Sequence, residues 1–276
     1  MNDFIVNNLI KLKKNKIPNP EIDLRILLNH SRISSKEIIL SNFKINQVNI
    51  KKFNLMLNRR LEYEPISKII NKKSFWKDDF FVNEFVLDPR PETEILIEES
   101  QKIFCNKRNN FKILDIGTGS GAIAISLARE FENADILAID ISKDAIKVAD
   151  KNITEKNLQN QIKLKQTTIH NINENFDLIV SNPPYLTNKE LENVSKEIRN
   201  FEPFISLDGG EDGLTFYREF ANKIPKIMNS KAYFIIEIGA KQYHHCREIF
   251  SLSSLKFEKK TQDLQKKDRI MVFSKL

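Results

Sequence analysis

Two consecutive prolines placed directly after a buried-strand pattern constrain this chain more than any other feature. The run Phe176-Asp-Leu-Ile-Val-Ser181 has the apolar content of a strand covered on both faces, and Asn182-Pro183-Pro184-Tyr185 follows it at once. A proline lacks the N–H that a helix or a sheet ladder needs, and it steers the residue before it away from helical geometry. The strand must therefore end there and continue as a stiff extended loop, with Asn182 at its carboxyl end. In an open α/β sheet, ligands bind at that edge. A side-chain amide beside a prolyl carbonyl sets several acceptor lone pairs in one place, next to an aromatic ring. Those parts suit the capture of a planar NH2 group. Taken alone, the tetrapeptide reads equally as a strand terminator near a surface tyrosine.

A second motif upstream shifts that balance. In Lys112-Ile-Leu-Asp-Ile-Gly-Thr-Gly-Ser-Gly-Ala122, the residues Ile113, Leu114 and Ile116 read as a short buried strand, and Ala122–Arg129 as a helix of small and apolar residues packed on a sheet. Between them Gly117, Gly119 and Gly121 remove the Cβ atoms that block a tight turn and a close approach of backbone to ligand. The next strand, Asp135–Ile139, ends in Asp140, whose carboxylate can accept both hydroxyls of a ribose. Dinucleotide enzymes are the competing explanation, but their fingerprint is G-x-G-x-x-G. Here the spacing is G-x-G-x-G led by Asp115, whose negative charge suits a zwitterionic or cationic ligand better than a phosphate.

The D-x-G-x-G-x-G turn, the acid closing the next strand and the N-P-P-Y loop together resemble a class I, Rossmann-like S-adenosylmethionine-dependent methyltransferase that acts on an NH2 nitrogen. Further segments narrow the resemblance. Phe85-Val-Leu-Asp-Pro-Arg-Pro-Glu-Thr-Glu94 is similar to the R-P-E-T-E motif of the peptide-chain release factor glutamine N5-methyltransferase family. Glu64-Pro65-Ile66, Phe75-Trp76, Phe201-Glu202-Pro203, Gly209–Leu214 and Glu237-Ile238-Gly239 fit that family in order, so the match covers about residues 60 to 275.

The resemblance implies S-adenosylmethionine as cofactor, with Gly117, Thr118, Gly119, Ser120 and Gly121 at its methionine end, Asp140 at its ribose and Asn182 beside the sulfonium. After the third strand such enzymes usually carry an acid followed by an aromatic. This chain offers Thr168 and Ile169 there instead, as a hydroxyl acceptor and an apolar floor for adenine. A second departure is Lys266, where the family often has glycine. Asn182, Pro183 and Tyr185 are the expected catalytic residues, and Asn182, Pro183, Pro184 and Tyr185 the expected substrate site. The Asn182 side-chain oxygen and the Pro183 carbonyl would accept the two amide N–H bonds, Tyr185 would pack on the flat amide, and Pro184 would lock the loop. Arg90, Glu92, Glu94, Glu202 and Glu237 read either as site residues or as helix-end and loop fixtures.

Alternating strands (112–116, 135–139, 162–166, 176–181, 232–238, 255–260, 269–274) and helices (92–104, 121–131, 142–156, 188–199, 214–228, 241–250) predict a mainly parallel, seven-stranded α/β sheet covered on both faces. The resemblance implies that the last two strands form an antiparallel hairpin. Three divisions follow: a helical substrate-docking region over 1–72, a β-hairpin linker over 73–90, and the methyltransferase domain over 91–276. In the first region, Asn19-Pro20 reads as a capped helix start, Phe53, Leu57 and Leu61 line one helix face, and 3–14 and 35–42 read as shorter helices. The linker is read as strands 74–82 and 84–87 about Asn83.

Charge is uneven: residues 1–75 hold 15 Lys and Arg against 6 Asp and Glu, and residues 76–276 hold 29 against 31. A basic N-terminal part suggests docking to an acidic macromolecule or, equally, a solvated lysine-rich surface. No apolar run approaches the roughly 18 residues of a membrane span, no signal-peptide pattern opens the chain, and Cys105 and Cys246 form no metal or disulfide pattern. A cytoplasmic monomer without metal is expected, with release factors as protein substrates. The alternatives are an N6-adenine methyltransferase, using the same acceptors on a flipped base of DNA or RNA, and a nonenzymatic S-adenosylmethionine-binding module.

Overall fold

The chain opens with helices α1 (Asp3–Lys14), α2 (Pro20–His30), α3 (Ile50–Leu61) and α4 (Ile66–Ile70), in a computed structural model that describes residues 3–105 and 110–275. Their inward residues, among them Ile5, Leu12, Leu24, Leu27, Leu28, Phe53 and Leu57, recur every three or four positions and close into one apolar cluster. Ser195–Phe201 belongs to this same unit. Within the unit, Arg60 is only 3% exposed, and its Nε lies 2.6 Å from Asp23 and its Nη1 2.5 Å from Glu197. Two local expectations change here. Asn19 adopts the left-handed region (φ 51°) and makes no side-chain cap, although α2 does begin on Pro20. Residues 35–42 form only a 3-10 turn, Leu40–Asn42, because the Asn29 side chain accepts from the Ile38 N–H (2.9 Å) and donates to its carbonyl (3.4 Å), holding that segment extended.

The second unit starts with a short hairpin, β1 (Lys73–Phe75) and β2 (Asp78–Phe80), turning at Trp76, which has a φ of 54°. The turn therefore falls at Trp76-Lys77, so strands 74–82 and 84–87 about Asn83 do not form. Trp76 explains this: its backbone N–H donates to Glu94 (2.7 Å) and its indole N–H to Glu130 (2.8 Å). These bonds hold Trp76 in the left-handed turn and leave Phe75 and Phe80 buried in the core.

Then follow α5 (Glu94–Ile103), β3 (Lys112–Ile116), α6 (Ala122–Glu130), β4 (Asp135–Asp140), α7 (Lys143–Glu155), β5 (Ile162–Gln166) and β6 (Phe176–Ser181). The chain continues through α8 (Asn188–Glu192), α9 (Lys196–Phe201), α10 (Thr215–Lys223), β7 (Met228–Glu237), α11 (Tyr243–Ser251), β8 (Leu255–Gln262) and β9 (Asp268–Lys275). The helix expected over 188–199 is thus two short ones. The helix expected over 214–228 stops at Lys223 and finishes as a 3-10 turn containing Pro225, which cannot donate its part of the helical ladder.

Among the described residues, seven strands form one sheet in the order β5-β4-β3-β6-β7-β9-β8, parallel except that β9 runs antiparallel to both its neighbours. Side-chain alternation sorts its residues into two cores. Ile113, Leu178, Val180, Ile235 and Val272 pack with α5 and α6 on one face. Leu114, Ile179, Phe234, Ile236 and Met271 pack with α10 and α11 on the other. Near-continuous apolar strands are what a doubly covered sheet requires. No helix among the described residues is long and apolar enough to cross a membrane.

Candidate active site

From β3 the chain builds outward through β4 to β5, then returns to place β6 and β7 on the other side of β3. Where strand order reverses in this way, the loops leaving two neighbouring strands diverge and open a crevice at the carboxyl edge. Ile116 is level with Ile139 of β4 and Ser181 of β6, and Ser181 is level with Ile236 of β7. The glycine turn, Asp140, Asn182 and Glu237 therefore leave or end successive strands at one edge. The Ser181 hydroxyl donates to the Ile116 carbonyl (2.9 Å) and ties the bases of the two central loops together.

Gly117, Gly119 and Gly121 adopt φ values of 74°, 55° and 80°, which side chains with a Cβ resist. A Cβ at Gly117 would meet nothing within 4 Å, and one at Gly119 only the Gly117 carbonyl at 4.0 Å, so both face open space. Thr118 and Ser120 turn the other way. Thr118 donates to Asp115 (2.6 Å) and is buried, as is Ser120, whose carbonyl accepts from Asn152 (2.8 Å). The turn thus presents backbone, not side chains, to the crevice. Asp140 accepts from the N–H groups of Gly119 and Ser142, both at 2.9 Å. Burial raises its pKa, while the N–H groups of Ser142, Gly119 and Ile141 pull it back. Burial also pushes Asp115 up to about 7. Beyond β5, Thr168 is exposed, whereas Ile169 is 4% exposed and joins the apolar cluster of Leu114, Ile116 and Ile139. That leaves Ile169 little surface to offer a ligand ring.

In the loop after β6, Pro183 is buried and Asn182, Pro184 and Tyr185 are half-buried. Asn182 Nδ2 donates to Thr93 Oγ1 (3.0 Å), and the Thr93 hydroxyl donates to Glu237 Oε2 (2.5 Å). The Tyr185 hydroxyl lies 3.5 Å from Glu237 Oε1. Among the described residues nothing donates to Asn182 Oδ1 or to the Pro183 carbonyl. Glu237 is 1% exposed, and burial pushes it up to about 7 against the Thr93 hydrogen bond and the Arg269 charge. Burial, then the neighbouring Glu237 charge, raise the Tyr185 phenol.

Glu92 and Glu94 stand out in the sequence as acids at a helix start, and the threonine between them carries no such signal. Glu94 anchors the Trp76 turn, and Arg90 pairs with Glu202 (3.0 Å), so these two are fixtures of loops, while Thr93 touches Asn182. The downstream glycine motifs also acquire a physical reason. A Cβ on Gly209 would lie 2.7 Å from the Tyr185 Cα, and one on Gly213 2.5 Å from the Tyr185 carbonyl oxygen. Gln242 completes that bed. Its Nε2 donates to the carbonyls of Tyr185 (2.9 Å) and Gly213 (3.1 Å), and its Oε1 accepts from the Gly239 N–H (2.9 Å) and the Tyr217 hydroxyl (3.0 Å). Nothing in the local pattern around Gln242 signals this use, since its partners lie on three separate segments.

A sequence profile described as a methyltransferase domain matches residues 107–269. A release factor glutamine methyltransferase of Buchnera aphidicola is 40% identical, with 87% of each chain covered. A bifunctional methyltransferase of Rickettsia bellii is 37% identical over 98% of this chain; the chain spans about half of that relative, 54% of its length. A solved methyltransferase from Pyrococcus furiosus shares the fold, at 18% identity and a TM-score of 0.53, over 79% of this chain and 98% of its own.

Proposed function

This chain belongs to the release factor glutamine methyltransferase family, and on that premise we propose that it methylates the side-chain amide nitrogen (N5) of the glutamine in the Gly-Gly-Gln loop of peptide-chain release factors. The observation that carries this reading is the pair of uncommitted oxygens, Asn182 Oδ1 and the Pro183 carbonyl, on a loop beside the glycine turn. An amide nitrogen is a poor nucleophile because its lone pair is delocalised into the carbonyl. Acceptors on both N–H bonds raise its electron density and hold the lone pair in one direction, and correct alignment for displacement is worth several kcal/mol. Tyr185 offers a flat wall for the amide, and Pro184 keeps the loop stiff. The surplus proton of the methylated nitrogen passes to water, so no side-chain base is needed.

S-adenosylmethionine supplies the electrophilic methyl group when bound. The residues present fit it: open space over Gly117 and Gly119 admits its methionine end against backbone, and the half-buried Asp140 carboxyl at the same edge favours a cationic ligand. Asp140 is assigned to the ribose hydroxyls, Thr168 to the adenine amino group, with Ile169 beneath as part of the core. Asp140→Ala is expected to raise the cofactor dissociation constant about ten- to a hundredfold, the worth of a charge-assisted hydrogen bond. Calorimetric titration returning an unchanged constant would reject the ribose assignment.

The activity itself is tested by incubating the chain with methyl-labelled cofactor and purified release factors. Label that survives nuclease and disappears when the loop glutamine is changed to alanine is the expected outcome. Label on nucleic acid would assign the chain to adenine methylation instead. Cofactor binding without any transfer would reduce it to a binding module.

A further inference from the structure

We propose that Thr93 and Glu237 are positioning residues that decide which end of the Asn182 carboxamide faces the substrate, an inference that rests on the methyl-transfer reading and deepens it. The two ends of a carboxamide are almost the same shape, so packing alone does not choose between them; hydrogen bonding does. The Thr93 hydroxyl has a single hydrogen, and it is given to Glu237 Oε2 (2.5 Å). Only lone pairs then remain for Asn182, which must turn Nδ2 toward Thr93 (3.0 Å) and its oxygen outward. An incoming NH2 group needs that oxygen.

The polarity of this three-membered chain reverses when Glu237 gains a proton. The carboxyl hydrogen is then given to Thr93, the Thr93 hydrogen turns to Asn182, and the amide presents NH2 outward, donor against donor. The groups acting on Glu237 come from each neighbouring segment: Thr93 and Glu92 from the turn before α5, Tyr185 from the loop after β6, and Arg269 from β9. Arg90 acts in turn on Tyr185. Burial and Glu92 favour the neutral carboxyl, while Thr93, Arg269 and Tyr185 favour the carboxylate, and the balance falls at about 7. Turnover is therefore expected to rise with pH through a limb near neutrality.

Glu237→Gln keeps the shape, and with its carbonyl oxygen facing the Tyr185 hydroxyl, in the place of Glu237 Oε1, its NH2 falls to Thr93 and holds the reversed polarity. We expect its kcat to fall about a hundredfold and to stay flat between about pH 6 and 8, with cofactor affinity unchanged. Thr93→Ser should retain most of the wild-type turnover, and Thr93→Val should lose it. A Glu237→Gln enzyme that keeps wild-type kcat, or keeps the pH limb, overturns the proposal. A second measurement needs no substrate. The side-chain amide resonance of Asn182 in 15N NMR should move with pH in the wild type and stand still in folded Glu237→Gln. Should that resonance titrate while no release factor is methylated, the relay stands and the functional reading falls. Should methylation proceed while the wild-type resonance does not titrate, the relay falls alone.

Discussion

Asn182→Ala is expected to remove methyl transfer almost entirely while leaving cofactor affinity within a few-fold of the wild type. The variant deletes the acceptor oxygen that Asn182 presents and leaves the backbone of the loop, pinned by Pro183, Pro184 and the Gln242 hydrogen bond to the Tyr185 carbonyl, in place. The Gly117–Gly121 turn and Asp140, assigned to the cofactor, keep their own supports from Ile139, Thr118 and Ser142. Removing one polar group aimed at a transition state commonly costs about 10²–10³ in kcat. Here the loss falls on a nucleophile that lacks intrinsic reactivity, so the upper end is expected. Single-turnover kinetics beside a direct binding measurement check it. Equal losses in both would contradict the division of roles between the loop and the turn.

Arg60→Met is expected to destabilise the helical unit by about 3–5 kcal/mol, the cost of stranding a buried charge whose partner has been removed. Arg60 answers two carboxylates, Asp23 from α2 and Glu197 from α9, and also donates to the Glu64 carbonyl (3.0 Å). Burial pushes the Asp23 carboxyl up and Arg60 opposes it. Without Arg60, burial acts unopposed, and Asp23 relieves its cost by taking a proton. The deficit should therefore shrink as pH falls. Hydrogen exchange in α2, α3 and α9 would register it as opening roughly a hundred- to several-thousandfold more frequent. Adding Asp23→Leu to Arg60→Met should recover part of the loss, since an apolar pair can replace a buried ion pair. Failure to recover any of it would mean that packing by the arginine stem, not charge, holds these helices together.

The fold was legible wherever a periodicity ran long enough to be unambiguous. Strand Leu178–Val180 is apolar at every position, and Ile113–Ile116 at every position but Asp115, because both faces are covered, and helix α6 is small and apolar because it lies on the sheet. The hairpin was misread because its turn depends on Glu94 and Glu130 seizing Trp76, residues far away in sequence that no local pattern announces. The break between α8 and α9 escaped for a similar reason: it lies where the chain passes from one unit to the other.

The candidate site divides along the same line. Short motifs announced the glycine turn, Asp140 and Asn182-Pro183-Pro184-Tyr185, because each of them must satisfy a local backbone demand: positive φ at a tight turn, a strand end, or proline stiffness. The motifs and their order were also enough to place the chain in its family. Only the tertiary structure disclosed that Thr93 and Glu237 stand behind Asn182, and that Gly209, Gly213 and Gln242 make the bed for Tyr185. A hydrogen-bond chain is specified by donors and acceptors meeting in space, and the direction in which a carboxamide points leaves no periodic trace along the polypeptide.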